Sequence, residues 1–105
     1  MGFRVQYTQQ AEEDLDSILR YMSDELFNPQ AAERFYEAVN KRLGLLCDNP
    51  RMFPLHHDEK LHADEYRCAV IGNYLMFYIV DDEYSVVSII RIVYGGRDLS
   101  AVFAE

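Results

Sequence analysis

Apolar positions recur along this chain with two different periods. Phe3, Val5 and Tyr7 alternate with Arg4 and Gln6, which predicts a short strand with one covered face. From Ala11 the spacing lengthens. Ala11, Leu15, Ile18, Leu19, Met22 and Leu26 fall every three or four residues and predict a helix from about Gln9 to about Leu26. Thr8 stands where that helix needs a cap. Glu12, Glu13, Asp14 and Asp16 crowd its first turns, where carboxylates favour the unpaired amides. Asn28-Pro29 restarts the chain, a cap followed by a proline at the first helical position. Ala32, Phe35, Val39, Leu43 and Leu46 form the next stripe, which ends near Asp48 because Asn49-Pro50 cannot easily continue a helix. Helices joined by so short a link pack as antiparallel neighbours.

The stretch from Tyr66 to Asp98 returns to strand-like composition. Tyr66–Ile71, Tyr74–Val80 and Val86–Tyr94 are rich in Val, Ile, Tyr and Phe and are separated by Gly72-Asn73 and by the acidic turn around Asp81-Asp82-Glu83. Such runs predict a three-stranded meander. Strict alternation puts Leu75, Phe77 and Ile79 on one face of the middle strand and Tyr74, Met76, Tyr78 and Val80 on the other. In the last strand it puts Ser88, Ile90 and Ile92 on one face and Val87, Ile89, Arg91 and Val93 on the other. A lone arginine in an apolar strand cannot be buried unpaired. Arg91 is therefore expected on the face that the helices leave open, with an acid such as Asp98 as its fallback partner. Gly95-Gly96 breaks the strand, and the apolar tail Leu99–Phe103 is expected to dock back. The expected fold is α+β, in the order β-α-α-β-β-β, with a two-helix hairpin on one face of a small, mostly antiparallel sheet. The first strand is expected to pair with the last long one.

At 105 residues the chain is expected to form a single domain. No apolar run approaches the length of a membrane span, and Met1–Thr8 carries no targeting stretch, so the expectation is cytoplasmic, with no membrane partner. The net charge of −8 disfavours non-specific binding to nucleic acid and fits a basic partner. Each half of the chain carries five basic and nine acidic groups, so neither is a polybasic arm. Cys47 and Cys68 have no motif around them and are expected to be free thiols, with a disulfide and a metal role as alternatives. Residues 51–65 read as a loop with, at most, a helical turn. Its three histidines, His56, His57 and His62, match no tight ligand spacing, so neither a metal nor a cofactor is expected.

With these elements placed, the chain resembles the ParE/RelE toxin superfamily of bacterial toxin–antitoxin systems. The resemblance rests on VQYTQQAEEDLDSILRYM, NPQAAERFYEAVNKRLGLLCDNP, YRCAVIGNYLMFYIVDDE and VVSIIRIVYGGRDL, in the family's order and over nearly the whole chain. It implies a toxin neutralised by a cognate antitoxin whose disordered tail wraps the active face. The ParE branch is associated with inhibition of DNA gyrase, the RelE branch with cleavage of messenger RNA on the ribosome. The ending Gly95-Gly96-Arg97-Asp98-Leu99 looks more like the ParE and plasmid-stabilisation type.

Laid on the ribonuclease branch, Arg97 matches an arginine that stabilises phosphate. Phe103 then falls where a catalytic tyrosine often stands, and phenylalanine has no hydroxyl with which to move a proton. Tyr74 falls roughly where RNA-cleaving members place another arginine, and Lys60 is the only lysine in the loop before the meander. Catalysis by RNA cleavage would draw on Arg67, Arg91 and Arg97 as cations, with a histidine folded over the open face as acid or base. The leading reading is a non-enzymatic inhibitor that binds its target and its antitoxin through Tyr74, Tyr78, Arg91, Tyr94, Arg97 and Phe103. The alternatives are a ribosome-dependent endoribonuclease and a family member that has kept the fold but lost toxicity. A homodimer and a toxin–antitoxin hetero-oligomer are both left open.

Overall fold

The computed structural model describes residues 2–103. Strand β1 (Arg4–Tyr7) leads into helix α1 (Gln9–Arg20), which continues as a π-helical turn over Tyr21–Glu25. Helix α2 (Pro29–Asp48) returns antiparallel to α1. A loop containing the short helix α3 (Glu59–Ala63) leads to β2 (Arg67–Ile71), β3 (Tyr74–Asp81) and β4 (Val86–Tyr94), and a one-turn helix α4 (Leu99–Val102) follows.

The capping residues act as expected. The Thr8 hydroxyl accepts the Ala11 N–H at 3.0 Å, and the Asn28 side chain accepts the Ala31 N–H at 3.1 Å with Pro29 at the first helical position. Asp58 and Asp98 cap α3 and α4 in the same way. No helix among the described residues is long and apolar enough to cross a membrane.

The sheet order is β1-β4-β3-β2, with the meander antiparallel and β1 parallel to β4. The predicted pairing of the first strand with the last is therefore present. The helical hairpin covers one face. Ala11, Leu15, Phe35, Val39 and Leu46 from the helices pack with Ala69, Ile71, Met76, Tyr78, Val87, Ile89 and Ile92. Burying this set is the dominant favourable term for the fold.

Two expectations about the faces need correction. First, alternation along β4 is interrupted. Phe77 pairs with Arg91 while Tyr78 pairs with Ile89, so Ile90 is the extra residue of a β-bulge. The bulge resets the parity: Ile89 and Ile92 both face the hairpin, and Arg91 and Val93 face away. Second, the face away from the hairpin is not bare. Leu61, Phe77 and Val93 form a second buried cluster there, joined by Tyr66, Cys68, Leu75, Leu99, Val102 and Phe103. Loop 51–65 and the docked tail are what cover it, because Leu75, Phe77 and Val93 leave too much apolar surface to face water. Cys47 and Cys68 are free thiols, and burial pushes Cys68 up to about 11.

Candidate functional site

Strand β1 is short and sets the geometry at one end of the sheet. It ends at Tyr7, where the Thr8 N–H still reaches the Ile89 carbonyl at 3.0 Å and the Thr8 hydroxyl donates to the Ile90 carbonyl at 3.0 Å. Beyond that point β4 has no neighbouring strand on this side. Asp14, one and a half turns into α1, takes the strand's place. Its Oδ2 accepts the Ile92 N–H at 3.0 Å and the Arg91 Nε–H at 2.7 Å, and its Oδ1 accepts from Arg91 Nη2 at 3.1 Å. Arg91 Nη1 donates to the Val102 carbonyl at 3.2 Å and so ties down the tail. Arg91 thus lies away from the hairpin as expected, but its partner is Asp14 and not Asp98. The two side chains are 16% and 10% exposed, and the guanidinium is already committed to three acceptor atoms.

Past Arg91, β4 runs out beside α1 and opens a groove of about 410 Å³ lined by Ser17, Ile18, Tyr21, Tyr74, Tyr94 and Arg97, with Asp14 at its base. Tyr74 and Tyr94 are cross-strand partners with ring centroids 5.9 Å apart, edge to face, and Tyr74 also meets Phe35 edge to face at 5.0 Å. Burial, then the neighbouring phenols of Tyr21 and Tyr94, raises the Tyr74 hydroxyl above its ordinary value, so it stays a neutral donor. Tyr94 is 53% exposed and Tyr21 49%. Gly96 makes room for the Tyr94 ring: a Cβ on Gly96 would lie 2.7 Å from Cε2. Arg97 follows on an exposed turn, and its side chain makes no hydrogen bond or ion pair among the described residues. The groove is an aromatic wall with one uncommitted cation at its rim.

The remaining predicted site residues lie elsewhere. Tyr78 is fully buried under the hairpin and cannot meet a partner, because its even position on β3 points it at the helices. Its hydroxyl, raised by burial, lies near the Phe53 backbone and Arg67 and has no hydrogen-bond partner among the described residues. Arg67 is Tyr78's cross-strand partner and donates to the Phe53 carbonyl at 2.8 Å. Arg67 and Arg91 therefore leave opposite faces of the sheet. Phe103 packs on the far face against Phe77 and Tyr66, at 5.1 Å from each. His56 does fold over that face, 5.3 Å from Phe77, stacked on His57. Its Nδ1 accepts the Asp58 N–H at 3.0 Å, and burial, with His57 beside it, holds its pKa below the usual histidine value. Tyr21, Ser17 and Asp14 were not anticipated. The signal for Tyr21 and Ser17 was their spacing of four on a helix, on the flank of the apolar stripe.

A family model described as the ParE toxin of the type II toxin–antitoxin system parDE matches residues 5–99. The chain belongs to the ParE toxin family. This toxin also shares its fold with solved structures of the wider superfamily. One is the RelBE2 toxin–antitoxin complex from Mycobacterium tuberculosis, 24% identical, TM-score 0.63, covering 90% of this chain and 99% of that one. Another is the chromosomal ParDE system from P. aeruginosa, at 17% identity, TM-score 0.69 and coverage of 88% and 95%. A third is a mutant of the E. coli toxin RelE in the free state, at 17% identity, TM-score 0.65 and coverage of 100% and 94%. No curated protein matches the toxin in sequence.

Proposed function

We propose that this ParE-family toxin acts by binding, with DNA gyrase as its target, and is neutralised by a cognate antitoxin that covers the groove between α1 and the end of β4. One observation carries the reading: the three candidate arginines do not converge. Arg67 is spent on backbone carbonyls on the hairpin side, Arg91 on Asp14 and Val102, and among the described residues only Arg97 of the three is unengaged. Stabilising a phosphorane-like transition state calls for several cations and an acid–base group around one phosphate. A binding surface calls for exposed aromatics that desolvate against a partner, with a charge at the rim, as Tyr21, Tyr94 and Arg97 provide. An antitoxin partner accords with the similar chains above, which were solved as RelBE2 and as a ParDE system.

The endoribonuclease alternative draws on His56, which lies over Phe77 on the side of the sheet that Arg91 also faces. Expressing the protein alone in bacteria separates the readings. Inhibited gyrase supercoiling with intact messenger RNA supports the proposal. Codon-mapped RNA cleavage with normal supercoiling overturns it in favour of the alternative. Normal growth on expression supports a family member without toxicity.

A further inference from the structure

A second cleft lies on the other flank of α1, between it and α2. It holds about 330 Å³ and is lined by Tyr7, Glu12, Leu15, Asp16, Leu19, Tyr36 and Asn40. Two tyrosine rings and two leucines give it apolar walls, and the polar groups are a carboxamide and two carboxylates. Asp16 is already paired with Arg20, one turn along α1. Glu12 and Asn40 have no side-chain hydrogen bond or ion pair among the described residues. Glu12 is close enough to Tyr7 that its charge, after burial and Tyr36, helps to hold the Tyr7 phenol neutral. The cleft thus combines aromatic faces, an unanswered negative charge and a free amide in a chain of net charge −8. A planar cation with donors at its edge satisfies all of these together, by stacking on a tyrosine face while its N–H groups reach the carboxylate.

We propose that this cleft receives an arginine side chain from a basic polypeptide partner, its guanidinium lying against the Tyr7 and Tyr36 rings and its charge answered by Glu12. Identifying that polypeptide as the antitoxin rests on the toxin reading above; the preference of the cleft for a guanidinium does not. The partner would then straddle α1, with its arginine on this flank and its apolar side chains in the Tyr21–Tyr94 groove on the other.

The test is a titration of the purified full-length protein, followed by NMR, with N-acetyl-arginine amide and with its neutral isostere N-acetyl-citrulline amide. The arginine compound is expected to give saturable shifts at Leu15, Leu19 and Asn40, and citrulline to bind about tenfold more weakly. Glu12→Gln is expected to weaken arginine binding about fivefold, whereas Asp24→Asn, with the same change in net charge outside the cleft, leaves it unchanged. Absence of saturable shifts, an equal response to citrulline, or equal losses from the two substitutions would each overturn the proposal. The supercoiling and RNA-cleavage assays judge the toxin reading separately, since neither depends on this titration.

Discussion

Asp14 and Arg91 are 77 residues apart in sequence and share two charge-assisted hydrogen bonds of 2.7 and 3.1 Å, while the same carboxylate accepts the Ile92 N–H. This arrangement does for β4 what β1 is too short to do: it satisfies an edge amide and neutralises the one cation inside the strand. It also locks α1 to the sheet at the point where the groove begins.

Asp14→Ala should therefore destabilise the protein by about 2–4 kcal/mol, since it strands a largely buried guanidinium and a backbone N–H. Asp14→Asn, which keeps an acceptor but not the charge, should cost roughly half as much. Urea unfolding of the two variants measures this. A loss under about 1 kcal/mol for the alanine variant would mean that water readily replaces the carboxylate.

Arg91 and Arg97 should separate stability from function. Arg97→Ala and Tyr94→Ala should leave the melting temperature within a degree or two and abolish growth inhibition on expression. Arg91→Ala should lower the melting temperature first. If Arg97→Ala remained fully toxic while folded, the groove would not be the binding surface.

Stability should depend on pH through His56. Burial and the adjacent His57 lower its folded-state pKa from the ordinary 6.5, so the folded state favours the neutral ring. Its contribution is fully present above the unfolded value of 6.5 and is lost as pH falls through the lower folded value. Protonating Nδ1 would also break the bond from the Asp58 N–H that shapes loop 51–65. Urea midpoints between pH 8 and pH 5 should fall on the acid side, and His56→Gln should flatten that slope. An unchanged slope in His56→Gln would assign the dependence elsewhere.

Cys68 should be a slow thiol. With its pKa raised from 9.0 to about 11 by burial, its thiolate fraction at pH 8 is about a hundredfold below that of an ordinary cysteine. Iodoacetamide labelling followed by mass spectrometry should show Cys68 protected at pH 8. Labelling as fast as glutathione would mean that the far-face cluster opens readily.

Phe27 is 85% exposed and adopts φ +52°, a left-handed conformation that side chains with a Cβ resist. Phe27→Gly should stabilise the fold by about 0.5–1 kcal/mol, the strain relieved less the added entropy of the unfolded chain. Thermal unfolding is the check, and a destabilised glycine variant would show that the ring contributes packing at the hairpin tip.

The elements themselves were legible because their causes are local. Thr8, Asn28 and Pro29 start helices whatever lies around them, and periods of two and three to four identify the strand and helix stripes. Even the β1–β4 pairing followed from the free edge beside β4, although its parallel direction came only with the structure. Faces were another matter. Strict alternation predicted Tyr74, Tyr78 and Arg91 on one open side, and a single bulged residue, Ile90, moved Arg91 and Val93 away from the side that Ile92 shares with Tyr74 and Tyr78.

Sequence by itself determined where helices and strands begin, which stripe of each is apolar, and that Arg91 could not be buried without a partner. Only the tertiary structure decided which carboxylate, because Asp14 becomes its neighbour through the early end of β1 and the packing of α1 against β4. It likewise decided that Tyr21 joins Tyr74, Tyr94 and Arg97 around one groove. Caps and periodicities are properties of a few adjacent residues, whereas the groove depends on a strand length, a bulge and the docking of a helix acting together.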